Sequence, residues 1–342
     1  MRFEFYHPGL ANLPKLSVDG TVDDNSVHLS HWEGNKTPPS LRADTSTEIA
    51  LNLVAAPNKL ELTHGFDLVT NNHFDTDGVL SVWTVLTGEK ALDLREQLIA
   101  AAEAGDFSEF RNANAVRASI VIQGTDQASS TNDTVSPLAR LLSGQDSLDD
   151  ARCYDLVLPE VEKVITRTED YESLWREGWD QVERALESFA RGSSTVTEFP
   201  ETGLSLITLA DDIFSPSGFN PTRHSAPFTA VSYHARGQLF VIAAPTSDGW
   251  IYRIDYPYYS WAETVVRPRI ERHDLSSLLS QLNQLEPIAT GRWQADHSEM
   301  TSAAKFLAAD GIPAASRLSP DIVASAICAE LAGTKLSRLG TP

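Results

Sequence analysis

Only two cysteines, Cys153 and Cys328, occur in 342 residues, so neither a disulfide framework nor a paired-cysteine zinc site organises this chain. Both thiols are expected to be reduced and buried. Basic residues are also scarce: 27 Lys and Arg stand against 47 Asp and Glu, a formal charge of −20. That balance disfavours a long nucleic-acid duplex or an anionic membrane as partner, because both need clustered cations against phosphate. A local basic pocket for a small anion stays compatible with it. The apolar runs, such as 239–245 and 322–331, fall well below the roughly 20 residues that span a bilayer. The opening Met1-Arg2-Phe3-Glu4-Phe5-Tyr6-His7-Pro8 has no apolar run or small-residue cleavage site, so a cytoplasmic location is the simpler expectation. No GxSxG elbow, Walker phosphate loop or GxGxxG fingerprint occurs, which removes the best-marked serine-hydrolase, nucleotide and dinucleotide readings.

What is present is a 42% hydrophobic composition, enough for one large or two ordinary domains with real cores. The first third reads as strand and helix in alternation. Ser26-Val27-His28-Leu29-Ser30 is β-prone and ends in the polar turn from His31 to Asn35. Thr45-Ser46-Thr47-Glu48 has capping-box spacing ahead of Ile49, Leu51, Leu53 and Val54, so a helix is expected there. Phe66 to Thr70 supplies a second strand, and Gly78 leads into an apolar helix. Helical periodicity continues from Asp93 to Leu142 and from Asp149 to Arg191, where Trp175 and Trp179 read as core; residues 128–134 read as a loop. After Gly192-Ser193-Ser194 the pattern turns strand-rich, with strands expected over 204–209, 229–234, 239–244 and 250–256. A hairpin is expected at Thr246-Ser247-Asp248-Gly249. Helices are expected at 274–285, 301–308 and 320–331. The reading is therefore α/β: a Rossmann-like parallel sheet with helices in residues 1–192, and a smaller mixed α+β domain in 193–342.

The densest chemistry lies in Asn71-Asn72-His73-Phe74-Asp75-Thr76-Asp77-Gly78. One imidazole and two carboxylates follow a strand, at the sheet edge where open α/β folds bind ligands. The set suits Mn, Zn, Fe, Co or Mg, with manganese first, and such an ion makes hydroxide available near neutral pH. His73 and Asp77 are the candidate catalytic groups, and Asn72 a substrate contact. Two competing readings stand beside this one. In the first, Asp75 and Asp77 simply cap the next helix. In the second, Asp75-Thr76-Asp77-Gly78 is the centre of an EF-hand, although its twelfth position would be Thr84 instead of a glutamate.

The segment His73-Phe74-Asp75-Thr76-Asp77-Gly78 resembles the first motif of DHH-type phosphoesterases, including the RecJ-like and manganese pyrophosphatase branches. It covers about a tenth of the chain. The resemblance implies two divalent metals held by His and Asp, and a C-terminal domain over a phosphorylated substrate. The Asp-His-His triplet that names the group is absent, so further ligands must come from elsewhere; His31 and Asp106 are the candidates. Asp44, Glu48, His64 and Asp67 are reserves, with Asp44 and Glu48 already explained by the capping box.

In the second half, Tyr256-Pro257-Tyr258-Tyr259-Ser260-Trp261 and Arg267-Pro268-Arg269-Ile270-Glu271-Arg272-His273 concentrate aromatics and cations in an acidic chain. Arginine forks hold phosphate or carboxylate, which makes Arg267, Arg269, Arg272 and His273 candidate substrate contacts; an exposed strand balanced by Glu263, Glu271 and Asp274 is the alternative. Asp296-His297-Ser298-Glu299 offers acid–base chemistry or a helix entry. The expectation is a metal-dependent hydrolase of a small anionic substrate, first a phosphoester or phosphoanhydride. An amide or ester hydrolase and a non-catalytic DHH-like binding protein are the alternatives, and a homodimer is left open.

Overall fold

The structure, a computed structural model, describes residues 1–22, 25–125, 136–211, 225–288, 290–296 and 300–339. The first part contains β1 (Arg2–Phe3), β2 (Lys15–Val18), β3 (Ser26–Leu29), α1 (Ser46–Ala55), α2 (Lys59–Leu62), β4 (Leu68–Thr70) and α3 (Thr76–Thr87). A helical run follows: α4 (Arg95–Asp106), α5 (Ala113–Gln123), α6 (Pro137–Ser143), α7 (Asp150–Val157), α8 (Val161–Thr166) and α9 (Glu172–Ala190). The remainder holds β5 (Thr195–Phe199), β6 (Leu204–Thr208), α10 (Ser225–His234), β7 (Leu239–Thr246), β8 (Gly249–Asp255), α11 (Ser276–Leu285), β9 (Arg292–Ala295), β10 (Ser302–Leu307) and α12 (Pro320–Leu339).

The first sheet is parallel throughout, in the order β1-β4-β2-β3. Every residue of β2 and β4 is buried, as parallel strands shut between layers require. Because β4, β2 and β3 are neighbours and run the same way, their C-terminal ends lie side by side. The loops that leave them carry residues 71–77, Asp19 and His31.

The second sheet is mixed, in the order β5-β6-β7-β8-β10-β9, with only β6 and β7 parallel. Period-two alternation divides its side chains between two cores. Leu204, Leu206, Val241, Tyr252 and Ile254 face α11 and α12, together with Leu278, Leu282, Val323 and Ile327. Ile207, Phe240 and Ile242 face α10, together with Phe228 and Val231. The β7–β8 hairpin turns where expected, Thr246 pairing with Gly249.

The chain divides into two compact units, Met1–Gln181 with Trp261–Arg269, and Val182–Ser260 with Ile270–Pro342. The sequence placed the division at 192/193; here α9 crosses it, and residues 261–269 return to the first unit.

Two expected elements have the other type. Residues 229–234 belong to α10, where Phe228, Ala230 and Val231 are buried; burying that face outweighs the modest helix penalty of Thr229 and Val231. Residues 302–307 form β10 instead of a helix, because β8 and β9 both supply ladder partners and packing in a sheet overrides alanine's local preference. Strands β1, β2 and β5 were not expected, whereas β9 ends just before Asp296, where a strand end was expected. The loop expected over 128–134 lies outside the described residues. Among the described residues no helix is long and apolar enough to cross a membrane.

Candidate metal centre

Two groups of side chains come together at the C-terminal edge of the parallel sheet. Asp19, His31, Asp77 and Asp106 form one, all buried; Asp19, His73 and Asp75 form the other, and Asp19 belongs to both. Within each group the donor atoms lie within 4.8 Å of one another. Metal–ligand bonds of about 2.0–2.2 Å let two donors of one ion lie up to roughly 4.4 Å apart, so slight contraction would suffice.

Asp19 follows β2 with a left-handed backbone, φ 61°, which Asp tolerates better than most side chains. Three contacts hold it there. Its amide donates to Leu29 O at 3.0 Å, its Oδ1 accepts Ser46 Oγ–H at 2.8 Å, and the next amide, Gly20, donates to Asn71 Oδ1 at 3.1 Å. A Cβ on Gly20 would lie 1.9 Å from Asn72 Oδ1 and 2.6 Å from Asn71 Oδ1, so a larger residue there would displace the two asparagine side chains.

Each imidazole is oriented through its far nitrogen. His31 Nδ1 lies 2.6 Å from the Asp44 carbonyl, and His73 Nδ1 lies 3.1 Å from Asn72 Oδ1. An oxygen at each position fixes the proton on Nδ1 and leaves Nε2 to coordinate, the usual outer-shell arrangement of metal-binding histidines. His31 Nε2 sits 3.1 Å from Asp106 Oδ2, 3.6 Å from Asp19 and 3.8 Å from Asp77. His73 Nε2 sits 2.8 Å from Asp19 Oδ2 and 3.2 Å from Asp75 Oδ2.

His31 Nε2, Asp106 Oδ2 and Asp19 Oδ2 are buried and make no hydrogen bond of good geometry, although His31 lies 3.1 Å from Asp106 and Asp19 lies 2.8 Å from His73. Buried polar atoms are almost always satisfied. His31 Nε2 and Asp106 Oδ2 face each other, and Asp19 Oδ2 faces His73 Nε2, so the unsatisfied atoms fall on both sides of Asp19, where an ion in each group would take them up.

The charge state argues the same way. Burial alone pushes Asp77 up, and neighbouring Asp19 adds to it, taking the carboxyl to about 7. Burial likewise drives Asp106 well above the carboxylate range, helped by Asp75 and Asp77. Burial opposes charging His31, but Asp106, Asp77 and Asp19 outweigh it and carry the imidazole up to about 10. For Asp19, burial is overcome by His73 and His31, which hold it below the usual range. Carboxylates this close in a dry site repel strongly unless cations lie among them.

The sequence-predicted ligands His31, His73, Asp75, Asp77 and Asp106 are all brought together. Asp19 was missed; its signal is the short run Leu16-Ser17-Val18 ending in Asp19-Gly20, a buried strand before a turn. The capping reading also holds, in altered form. Asp75 Oδ1 accepts Gly78 N–H at 2.7 Å and caps α3, whereas Asp77 receives the Ser46 and Thr47 amides of α1, each at 2.7 Å. The EF-hand reading fails, because residues 76–87 are already helix. Asp77 is fully buried, so it cannot touch a substrate; the side chains of His73 and Asp75, 26% and 29% exposed, are the accessible ones. Asn72 orients His73. Thr45 caps α1 as expected, but Glu48 pairs with Arg95 instead of reaching back. His64 and Asp67 are exposed between α2 and β4.

The expected arginine wall separates. Arg267 is a structural clamp, its guanidinium pairing with Asp44 (2.7 Å), Glu103 (2.8 Å) and Glu109 (2.6 Å). Its donors are spent on three carboxylates, which leaves it unavailable as an anion receptor. Asp44 also accepts the amides of Val265, Val266 and Arg267, tying residues 261–269 down beside the cluster. There Trp261 meets the His31 ring edge-on at 5.0 Å. Arg269 is exposed in the same segment. Arg272 and His273 belong to the second unit. Asp296 accepts Ser302 Oγ–H at 2.8 Å and pairs with Lys305; residues 297–299 lie outside the described residues.

The sequence profile of DUF6687, a family of unknown function, matches residues 2–329. The chain belongs to that family. No curated protein matches it. The DUF6687 match takes in every residue of the cluster, from Asp19 to Asp106.

Proposed function

We propose that this DUF6687 chain is a divalent-metal-dependent hydrolase of a small phosphoester or phosphoanhydride, with a pair of ions sharing Asp19. The observation that carries the reading is that Asp19 belongs to two ligand groups while its Oδ2, His31 Nε2 and Asp106 Oδ2 stay buried and without a hydrogen bond of good geometry. The mixed imidazole and carboxylate donors fit manganese first, then iron, cobalt, zinc or magnesium. Ions bound there would polarise a phosphoryl oxygen and lower the pKa of water from 15.7 to about 7.

The residues divide the work by exposure. Asp19, His31, Asp77 and Asp106 are shut away and bind. Asp77 does so while held by the first amides of α1, so helix and ligand fix each other. His73 and Asp75 form the accessible edge, where a substrate oxygen and a water can arrive. Trp32, its ring 4.9 Å from His73, is an apolar neighbour on that edge and limits bulk water beside it. The motif resemblance to DHH-type phosphoesterases favours a phosphoryl substrate, although the triplet of that group is absent.

The test is a screen of small phosphomonoesters, phosphodiesters and pyrophosphate, using protein stripped of metal and reloaded with Mn²⁺. Turnover that needs the ion and drops at least a hundredfold in Asp75→Asn is the expected result. Bound metal without turnover on any phosphoryl substrate would contradict the hydrolase and leave a metal-binding protein.

A further inference from the structure

The second unit holds a cavity of about 420 Å³, lined among others by Tyr256, Arg272, Asp274, Leu275, Leu279 and Ala303. Its size falls within the range of small-molecule sites. Leu275, Leu279 and Ala303 are buried apolar groups, so part of the lining favours a hydrocarbon body.

Arg272 supplies the cation of this lining. Among the described residues no carboxylate lies within ion-pair distance of it, whereas Arg95, Arg111 and Arg267 each pair with an acid. Its guanidinium lies 4.3 Å over the Tyr256 ring, and one terminal nitrogen donates to Ser260 Oγ at 3.2 Å and to Met300 O at 2.6 Å. Those contacts hold the fork in place while leaving Nε and the other terminal nitrogen to a ligand. Partial burial keeps this arginine below its usual value, only Tyr256 acting against that. A cation that is held in place, exposed to solvent and without an acid is open to an anionic ligand.

Asp274 also lines the cavity, its Oδ1 taking the amide and hydroxyl of Ser276 at 3.0 and 2.6 Å. One cation with a carboxylate nearby suits a single negative charge better than two. We propose that this cavity binds a small organic carboxylate, its head on Arg272 and its aliphatic body against Leu275, Leu279 and Ala303. The site is built wholly from the second unit, and its ligand need not be the substrate of the metal centre.

Protein-observed NMR titration of the intact chain with hexanoate, acetate, 1-hexanol and hexyl phosphate tests it. Hexanoate is expected to bind at least about tenfold more tightly than either acetate or 1-hexanol, the least that one charge-assisted contact or a partly buried chain contributes. Hexyl phosphate at pH 8, as a dianion, is expected to bind more weakly than hexanoate. Arg272→Gln should abolish the preference over 1-hexanol, and Ala295→Phe, at an exposed lining position of β9, should block hexanoate, both with unchanged thermal unfolding. Equal binding of hexanoate and 1-hexanol, no binding of hexanoate, full retention of its affinity in Arg272→Gln, or tighter binding of hexyl phosphate would overturn the proposal.

Discussion

Asp19 Oδ2 lies 2.8 Å from His73 Nε2, while its other oxygen lies 3.6 Å from His31 Nε2. One carboxylate thus serves the buried ligand group and the half-exposed one. Removing a group on one side should therefore act on one ion, and removing Asp19 on both.

His73→Ala belongs to the first kind. It is expected to lose one ion of the pair and keep the other, because Asp19, His31, Asp77 and Asp106 remain. Asn72→Ala, which releases His73 Nδ1, should weaken the same ion about tenfold or more, the usual effect of deleting an outer-shell partner. Competition against a metal-binding dye measures both. An equal loss of both ions in Asn72→Ala would contradict the division.

How much of this was legible beforehand follows from where each residue sits. His73, Asp75 and Asp77 stand close together in sequence, so periodicity and composition alone marked them. His31 and Asp106 were reachable because each ends a recognisable element. Asp19 carries only a weak signal, since β2 has four residues and its burial comes from β3 and β4 on either side, so the run before Asp19-Gly20 is too short to stand out. Arg267 misled for a related reason. An arginine beside aromatics reads as an open receptor, whereas Glu103, Glu109 and Asp44 reach it from far along the chain. In residues 302–307 the alanines favour a helix locally, and the sheet partners decide otherwise.

Arg267→Met should destabilise the protein by about 3 kcal/mol, since it strands carboxylates that are out of water. Glu103 is the main sufferer: burial already raises it despite Arg267 and Arg111. Chemical denaturation measures the loss, and a change below about 0.5 kcal/mol, the size of an ordinary surface substitution, would contradict the clamp.

Stability should depend on pH in opposite ways with and without metal. In the metal-free protein His31 titrates near 10, above its unfolded value, so its stabilisation is complete below the unfolded pKa and is lost as pH rises through about 10. Asp77 titrates near 7, above its unfolded value. The folded state therefore holds the extra proton, and stability again falls as pH rises toward 7. Ligation displaces both protons, so metal affinity must rise over the same range. Thermal unfolding at pH 6 and pH 8.5 is expected to show the metal-free form less stable at the higher pH and the Mn²⁺-induced gain larger there. A gain that is larger at pH 6 would contradict the ligand assignment.

Excess metal should also stabilise the wild type, by about 2.7 kcal/mol for each ion held at a hundred times its dissociation constant, if the unfolded chain binds none. Chelation should reverse the gain. Asp106→Asn should reduce it without abolishing it, because the group of Asp19, His73 and Asp75 remains.

Elemental analysis of the purified chain after equilibration with Mn²⁺, beside Asp19→Asn with its folding checked by circular dichroism, tests the shared carboxylate most directly. Two ions per wild-type chain, with both weakened or lost in Asp19→Asn, is the predicted result. No bound metal in the wild type, or an unchanged two ions in Asp19→Asn, would contradict it.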